Sequence, residues 1–143
     1  MMIRRVALPA LVMLLMIAAG GPGVVRAEGD RWTNVGTADF NRNGQVDILM
    51  RHETSGKLEA WLLDGIYIRE KVSLPNQIED LGWTVRGAAD FNGDGHADIL
   101  WRHAASGQFA LWLMNELTMT SGSLIDTSDV LDPGWRMEAI GDF

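Results

Sequence analysis

Oxygen-bearing side chains stand at every second position of Asp90-Phe91-Asn92-Gly93-Asp94-Gly95-His96-Ala97-Asp98, and an apolar run follows at once. A hard cation takes about six to eight oxygen ligands near 2.4 Å, and a tight turn brings alternate side chains inward. Asp90, Asn92, Asp94 and Asp98 would supply side-chain oxygens and His96 its backbone carbonyl. Gly95 would allow the sharp turn that a Cβ obstructs. This chemistry is that of a calcium loop.

The same pattern stands 51 residues earlier, as Asp39-Phe40-Asn41-Arg42-Asn43-Gly44-Gln45-Val46-Asp47, and the sequence ends on Asp142-Phe143 where a third copy would begin. With Trp32 aligned to Trp83, residues 32–62 and 83–113 share 17 of 31 positions, so the loops belong to a longer repeat rather than to a chance match. Trp135 opens the third copy, 52 residues after Trp83. An EF-hand needs a bidentate glutamate at its twelfth position, which falls here on Met50 and Trp101; neither can ligate. The bland alternative is an acidic turn without metal. The side chains carry two formal charges in the first loop (Asp39, Asp47) and three in the second (Asp90, Asp94, Asp98), which predicts weaker calcium binding in the first.

What must position these loops is read from the rest of the chain. Its 143 residues suffice for one domain, but the first 27 have the marks of a secretory signal. Met1 to Arg5 is short and basic, Val6 to Ala19 is almost wholly apolar, and Val25-Arg26-Ala27 suits signal peptidase. The apolar run is shorter than the roughly 20 residues that cross a bilayer as a helix, so cleavage is expected, with no transmembrane span in the mature chain. The expected location is secreted, extracellular or periplasmic. The absence of cysteine excludes disulfides, thiolate metal sites and a lipid-bearing N-terminal cysteine. Without residues 1–27, nine basic residues face 19 acidic ones. Such a surface repels phosphate, and nucleic acid is not an expected partner.

Each repeat offers four short strands separated by turn residues. In the first they are Thr33–Ala38, Asp47–His52, Leu58–Leu63 and Ile66–Leu74, and in the second Thr84–Ala89, Asp98–His103, Phe109–Met114 and Leu117–Leu124. The middle strands are apolar on both faces, whereas Ile66, Ile68, Val72 and Leu74 alternate with polar residues and predict a half-exposed outer strand. Gly36-Thr37-Ala38 and Gly87-Ala88-Ala89 suit a crowded innermost strand. The expected fold is all-β, with four-stranded antiparallel sheets stacked as blades around an axis. The parts are a signal peptide over 1–27 and a repeat region over 28–143, divided into 32–82, 83–134 and a partial 135–143.

The run from Trp83 to His103, followed by Ser106-Gly107 and Trp112-Leu113-Met114, resembles the FG-GAP-like (VCBS-type) repeats of exported proteins, related to the calcium-bearing blades of integrin alpha subunits and some fungal lectins. The resemblance covers essentially all of 32–143 and implies a β-propeller, one repeat per blade, with Ca2+ between the first two strands of each. It places metal ligands at Asp39, Asn41, Asn43, Gln45 (carbonyl) and Asp47, and at Asp90, Asn92, Asp94, His96 (carbonyl) and Asp98. Propellers have about four to eight blades, so two blades and one strand are expected to be part of a longer propeller or to need self-assembly.

No nucleophile elbow, phosphate-cradling loop or zinc spacing is present, and a non-enzymatic role is expected. His52 and His103 recur beside Arg51 and Arg102, as a structural feature of every blade would. Five of six tryptophans also recur, which favours packing over a platform for sugar rings. The function expected is adhesion or recognition of an extracellular glycan or protein by a calcium-binding module. The alternatives are an accessory propeller of a secreted hydrolase and a structural spacer.

Overall fold

The computed structural model describes residues 30–126; the expected signal segment and the partial third repeat lie outside the described residues. Each repeat forms one antiparallel four-stranded sheet. The first holds β1 (Trp32–Ala38), β2 (Asp47–His52), β3 (Leu58–Asp64) and β4 (Tyr67–Ser73), and the second β5 (Trp83–Ala89), β6 (Asp98–His103), β7 (Phe109–Asn115) and β8 (Thr118–Ile125). Strand order within each sheet follows the sequence. These are the meandering blades of a β-propeller-type fold.

The strand ends follow turn chemistry. Gly56, Gly65 and Gly107 hold positive φ in the hairpins, where a Cβ is disfavoured. The first strands of the two sheets, β1 and β5, lie against each other. A Cβ on Gly36 would stand 3.9 Å from that of Ala88, the close approach that small residues permit.

The core is the seam between the blades. Cross-strand pairing puts Leu49, Arg51, Leu58, Ala60 and Leu62 on one face of the first blade. In the second, Ile99, Trp101, Ala110, Trp112 and Met114 share the opposite face. These two apolar faces meet, with Phe40 and Leu74 closing the edges. Burial of side chains of this size contributes about 1.5–3 kcal/mol each, so the seam dominates the stability of the pair.

The outer strand departs from the simple alternation. In β4 only Val72 is partly buried, and Ile66 and Ile68 are exposed. Leu62 pairs with Glu70 but Leu63 pairs with Ile68, so Arg69 is an extra residue and the register shifts there. The bulge turns Ile68 onto the face opposite Val72, where a strict period of two puts them together. The second blade has the same shift at Thr120.

Candidate metal centre

Each loop is knotted by its own side chains. Asp90 accepts hydrogen bonds from the backbone N–H groups of Gly93 (2.7 Å), Asp94 (3.2 Å) and Gly95 (2.7 Å). Asn92 Oδ1 also accepts from Asp94 N, at 3.0 Å, and Asp94 Oδ1 accepts from His96 N, at 2.8 Å. The first loop repeats the scheme. Asp39 accepts from Asn43 N (3.1 Å) and Gly44 N (2.8 Å), Asn41 from Asn43 N (3.1 Å), and Asn43 from Gln45 N (2.8 Å). The alternating residues thus turn inward in both loops. The Gly95 N–H, with its neighbours, holds the Asp90 carboxyl below the usual carboxylate range, because hydrogen bonds to the charged form favour it.

The last loop residue is different in kind. Asp98 is fully buried, and its two oxygens accept from Phe91 N and from Met114 N, each at 2.9 Å. Asp47 does the same with Phe40 N at 3.0 Å and Leu63 N at 2.9 Å. Each carboxylate therefore ties the start of its loop to the end of the third strand of its blade. Among the described residues neither has a basic side chain as ion-pair partner. A buried carboxylate with two N–H donors and no counter-charge suits a nearby cation, since buried charges are normally paired or bound to metal.

The donor set is one of carboxylate, amide and carbonyl oxygens, which fits calcium and not a soft metal. The carboxylate oxygens already holding N–H groups keep further lone pairs. Among the described residues no three His, Asp or Glu side chains gather as a metal cluster by themselves, so a cation here would draw on amide and backbone oxygens too. Asn92 Nδ2 donates to Asp94 Oδ2 at 2.9 Å, and a cation would compete with that bond.

Two side chains named for their carbonyls have a second role. Gln45 accepts from Gly65 N and donates to Asp64 Oδ1 at 3.2 Å, and His96 Nδ1 accepts from Glu116 N at 3.2 Å. Both clamp the loop to the outer hairpin of the same blade. Arg42 occupies the left-handed region, φ 59°, where the second loop has Gly93 at 77°. Its guanidinium lies 3.5 Å from where a Gly95 Cβ would stand, so the first loop brings a cation beside the second.

The recurring histidines are braces. His52 packs against Trp32 and His103 against Trp83, at 5.0 and 5.1 Å between centroids. His52 Nδ1 accepts from Ser55 N and His103 Nδ1 from Ser106 N, each at 3.2 Å. Trp112 is buried, and Lys71 Nζ covers the Trp61 ring at 3.9 Å, so neither offers a bare face for a sugar.

Loop, strand and hairpin of the second blade form one contiguous unit, and a scan against protein families matches residues 81–114 to the FG-GAP repeat. This segment is similar to an FG-GAP repeat. The match runs from the approach to β5 through β7 and contains the whole second loop. The first blade, outside that match, reproduces the strand order and loop bonding of the second, with Arg42 and Asn43 in place of Gly93 and Asp94. Neither a curated protein nor a solved structure matches the chain.

Proposed function

We propose that this chain is an exported, non-enzymatic, calcium-binding β-propeller module that recognises a glycan or protein outside the cell, with calcium as a structural ion in the inter-strand loops. The observation that carries the calcium reading is the pair of fully buried carboxylates, Asp47 and Asp98, each at the end of an oxygen-rich loop and without a basic partner among the described residues. A cation there would offset their charge and stiffen the loop against the hairpin. At ten times its dissociation constant it would add about 1.4 kcal/mol per site. The recognition role rests on the FG-GAP repeat and on an acidic chain with an expected export signal.

The test is calorimetric titration of the chain with calcium, paired with thermal melting. Saturable binding that raises the melting temperature is expected, and Asp94→Asn, which keeps its bond to His96 N, should weaken it without unfolding the blade. Asn43→Asp should tighten the first loop. Absence of saturable heat, with a melting temperature indifferent to calcium and chelator, would remove the ion from the reading. Screening the calcium-loaded chain on a glycan array and an extracellular-protein array tests the recognition role.

A further inference from the structure

Two peptide bonds in the oxygen-rich loops join asparagine to glycine, Asn43-Gly44 and Asn92-Gly93; the other four asparagines precede valine, arginine, glutamine and glutamate. In such a pair the glycine nitrogen can close a five-membered ring on the asparagine side-chain carbonyl carbon, and glycine has no Cβ to obstruct it. The first pair is set for that reaction. Asn43 and Gly44 are exposed, so water reaches both. Gly44, φ 83°, donates its N–H to Asp39 Oδ2 at 2.8 Å, and Asn43 Oδ1 accepts from Gln45 N at 2.8 Å. The nucleophile thus sits on a carboxylate able to take its proton, and the oxygen on which negative charge develops sits on a backbone donor. The Asn43 amide nitrogen is held loosely, by a 3.4 Å bond to the Leu63 carbonyl.

The second pair shares the turn but not the freedom. Gly93 N donates to Asp90 Oδ1 at 2.7 Å and Asn92 Oδ1 accepts from Asp94 N at 3.0 Å, yet Asn92 Nδ2 donates to Asp94 Oδ2 at 2.9 Å. Its departing nitrogen is held by a carboxylate with no proton to give, and an aspartate at position 92 would turn its charge on Asp94. Asn43 instead corresponds to Asp94 itself, 51 residues on. Asp94 accepts from His96 N at 2.8 Å, just as Asn43 accepts from Gln45 N. A carboxylate at position 43 therefore suits a loop already built around one.

We propose that Asn43-Gly44 is a self-modifying site that converts Asn43 to aspartate and so gives the first loop the carboxylate count of the second. The Gly44 nitrogen bonds to Asn43 Cγ as its proton passes to Asp39. The Cγ–Nδ2 bond then breaks, and the side-chain nitrogen leaves as ammonia with that proton, which closes a succinimide ring. Water adds at Cγ and reopens the bond to the Gly44 nitrogen, so that asparagine and water have become aspartate and ammonia with nothing oxidised or reduced. Opening at the other carbonyl would insert a methylene into the main chain and pull Gln45 from its clamp on Gly65 N, which favours opening at Cγ. The consequence for calcium rests on the reading that the loops bind it: the formal charge of the first loop rises from two to three, and affinity rises with it.

Peptide mapping by mass spectrometry of the full 143-residue chain, held at neutral pH with chelator, tests the modification without calcium. Loss of the amide at Asn43 should run at least about tenfold faster than in a free peptide of residues 37–47, and fragmentation should show chiefly aspartate rather than isoaspartate. Asn92 should keep its amide over the same period. Asp39→Asn keeps an acceptor for Gly44 N but removes the base, and should bring Asn43 down to the rate of the peptide. Should that variant loosen the loop, the parent chain and the peptide decide between them. A rate in the folded chain no higher than in the peptide, equal rates at Asn43 and Asn92, or isoaspartate as the main product overturns the proposal. The reacted chain, separated by its added negative charge, should bind calcium in the first loop roughly tenfold more tightly than the unreacted chain. Unchanged affinity overturns that consequence. Modification with no saturable calcium heat in either form supports the modified site and removes the calcium reading instead.

Discussion

The two blades carry the same buried aspartate frame but place their backbone strain in opposite corners. In the first, Arg42 holds a left-handed conformation in the oxygen-rich loop, and the outer hairpin turns on Gly65; in the second, the loop turns on Gly93 and the hairpin on Glu116, φ 53°. A side chain in that region costs about 1–2 kcal/mol. Each blade thus tolerates one such residue, though never at the same turn. The aspartate that ends the loop does not vary between them, because it alone reaches both the loop start and β3 or β7. The difference teaches that the repeat is defined by its buried hydrogen bonds, while two of its turn glycines are exchangeable.

The largest effect expected is on that frame. Asp47→Ala and Asp98→Ala each leave two backbone N–H groups without their acceptor, and at about 1–3 kcal/mol per unsatisfied group each should lose about 2–6 kcal/mol in urea unfolding with chelator present. Similar losses for the two confirm equivalence of the frames in the metal-free chain; a loss under about 1 kcal/mol for either breaks it. Next comes the seam. Arg51→Ala should cost about 2–4 kcal/mol, as a buried charged donor serving four carbonyls. Arg102→Ala should move the main unfolding transition by less than about 0.5 kcal/mol, as an exposed site does.

Exchanging the strained residues sharpens the comparison further. Arg42→Gly and Glu116→Gly should each stabilise their blade by about 1 kcal/mol in equilibrium unfolding, and Gly93→Arg should cost about as much. Arg42→Gly also withdraws the guanidinium from beside Gly95, so calcium affinity should rise in the second loop, not only in the first. The smallest effect is acid sensitivity. The Asp90 carboxyl is held low chiefly by the Gly95 N–H, and the Asp64 carboxyl chiefly by Arg69. Their folded pKa values lie below the unfolded ones, so their stabilisation is present above the unfolded carboxylate range and is lost as pH falls through the folded values. Melting curves taken downward from pH 5 should fall less steeply for Asp90→Asn than for the parent; identical slopes would assign the acid loss elsewhere.

Strand order and strand ends were legible because the residues that stop each strand are glycines and polar turn formers close in sequence. That Gly36 and Ala88 sit in crowded strands was legible from the small residues around them, but their approach to each other shows only once the blades pack. The bulges at Arg69 and Thr120 were not, because neither carries a glycine signal and the register shift shows only in the pairing. In the loops, the spacing of Asp90, Asn92 and Asp94 announced an inward turn. The clamps from Gln45 to Gly65 and from His96 to Glu116 join residues 20 apart and depend on how the outer hairpin folds back. Recurrence of Arg51 and Arg102 signalled structure, but only the second blade packed on the first reveals which carbonyls the guanidinium serves.

Trp101 stands in the seam where the first blade has Met50, its indole N–H fully enclosed and without an acceptor among the described residues, 4.9 Å from Trp112 and beneath Arg51. An indole so placed meets no water to relax around its excited state, so it emits at the short-wavelength end of the tryptophan range. Parting of the blades would wet the ring and redden its light, which gives the molecule a built-in optical gauge of whether its two halves are closed.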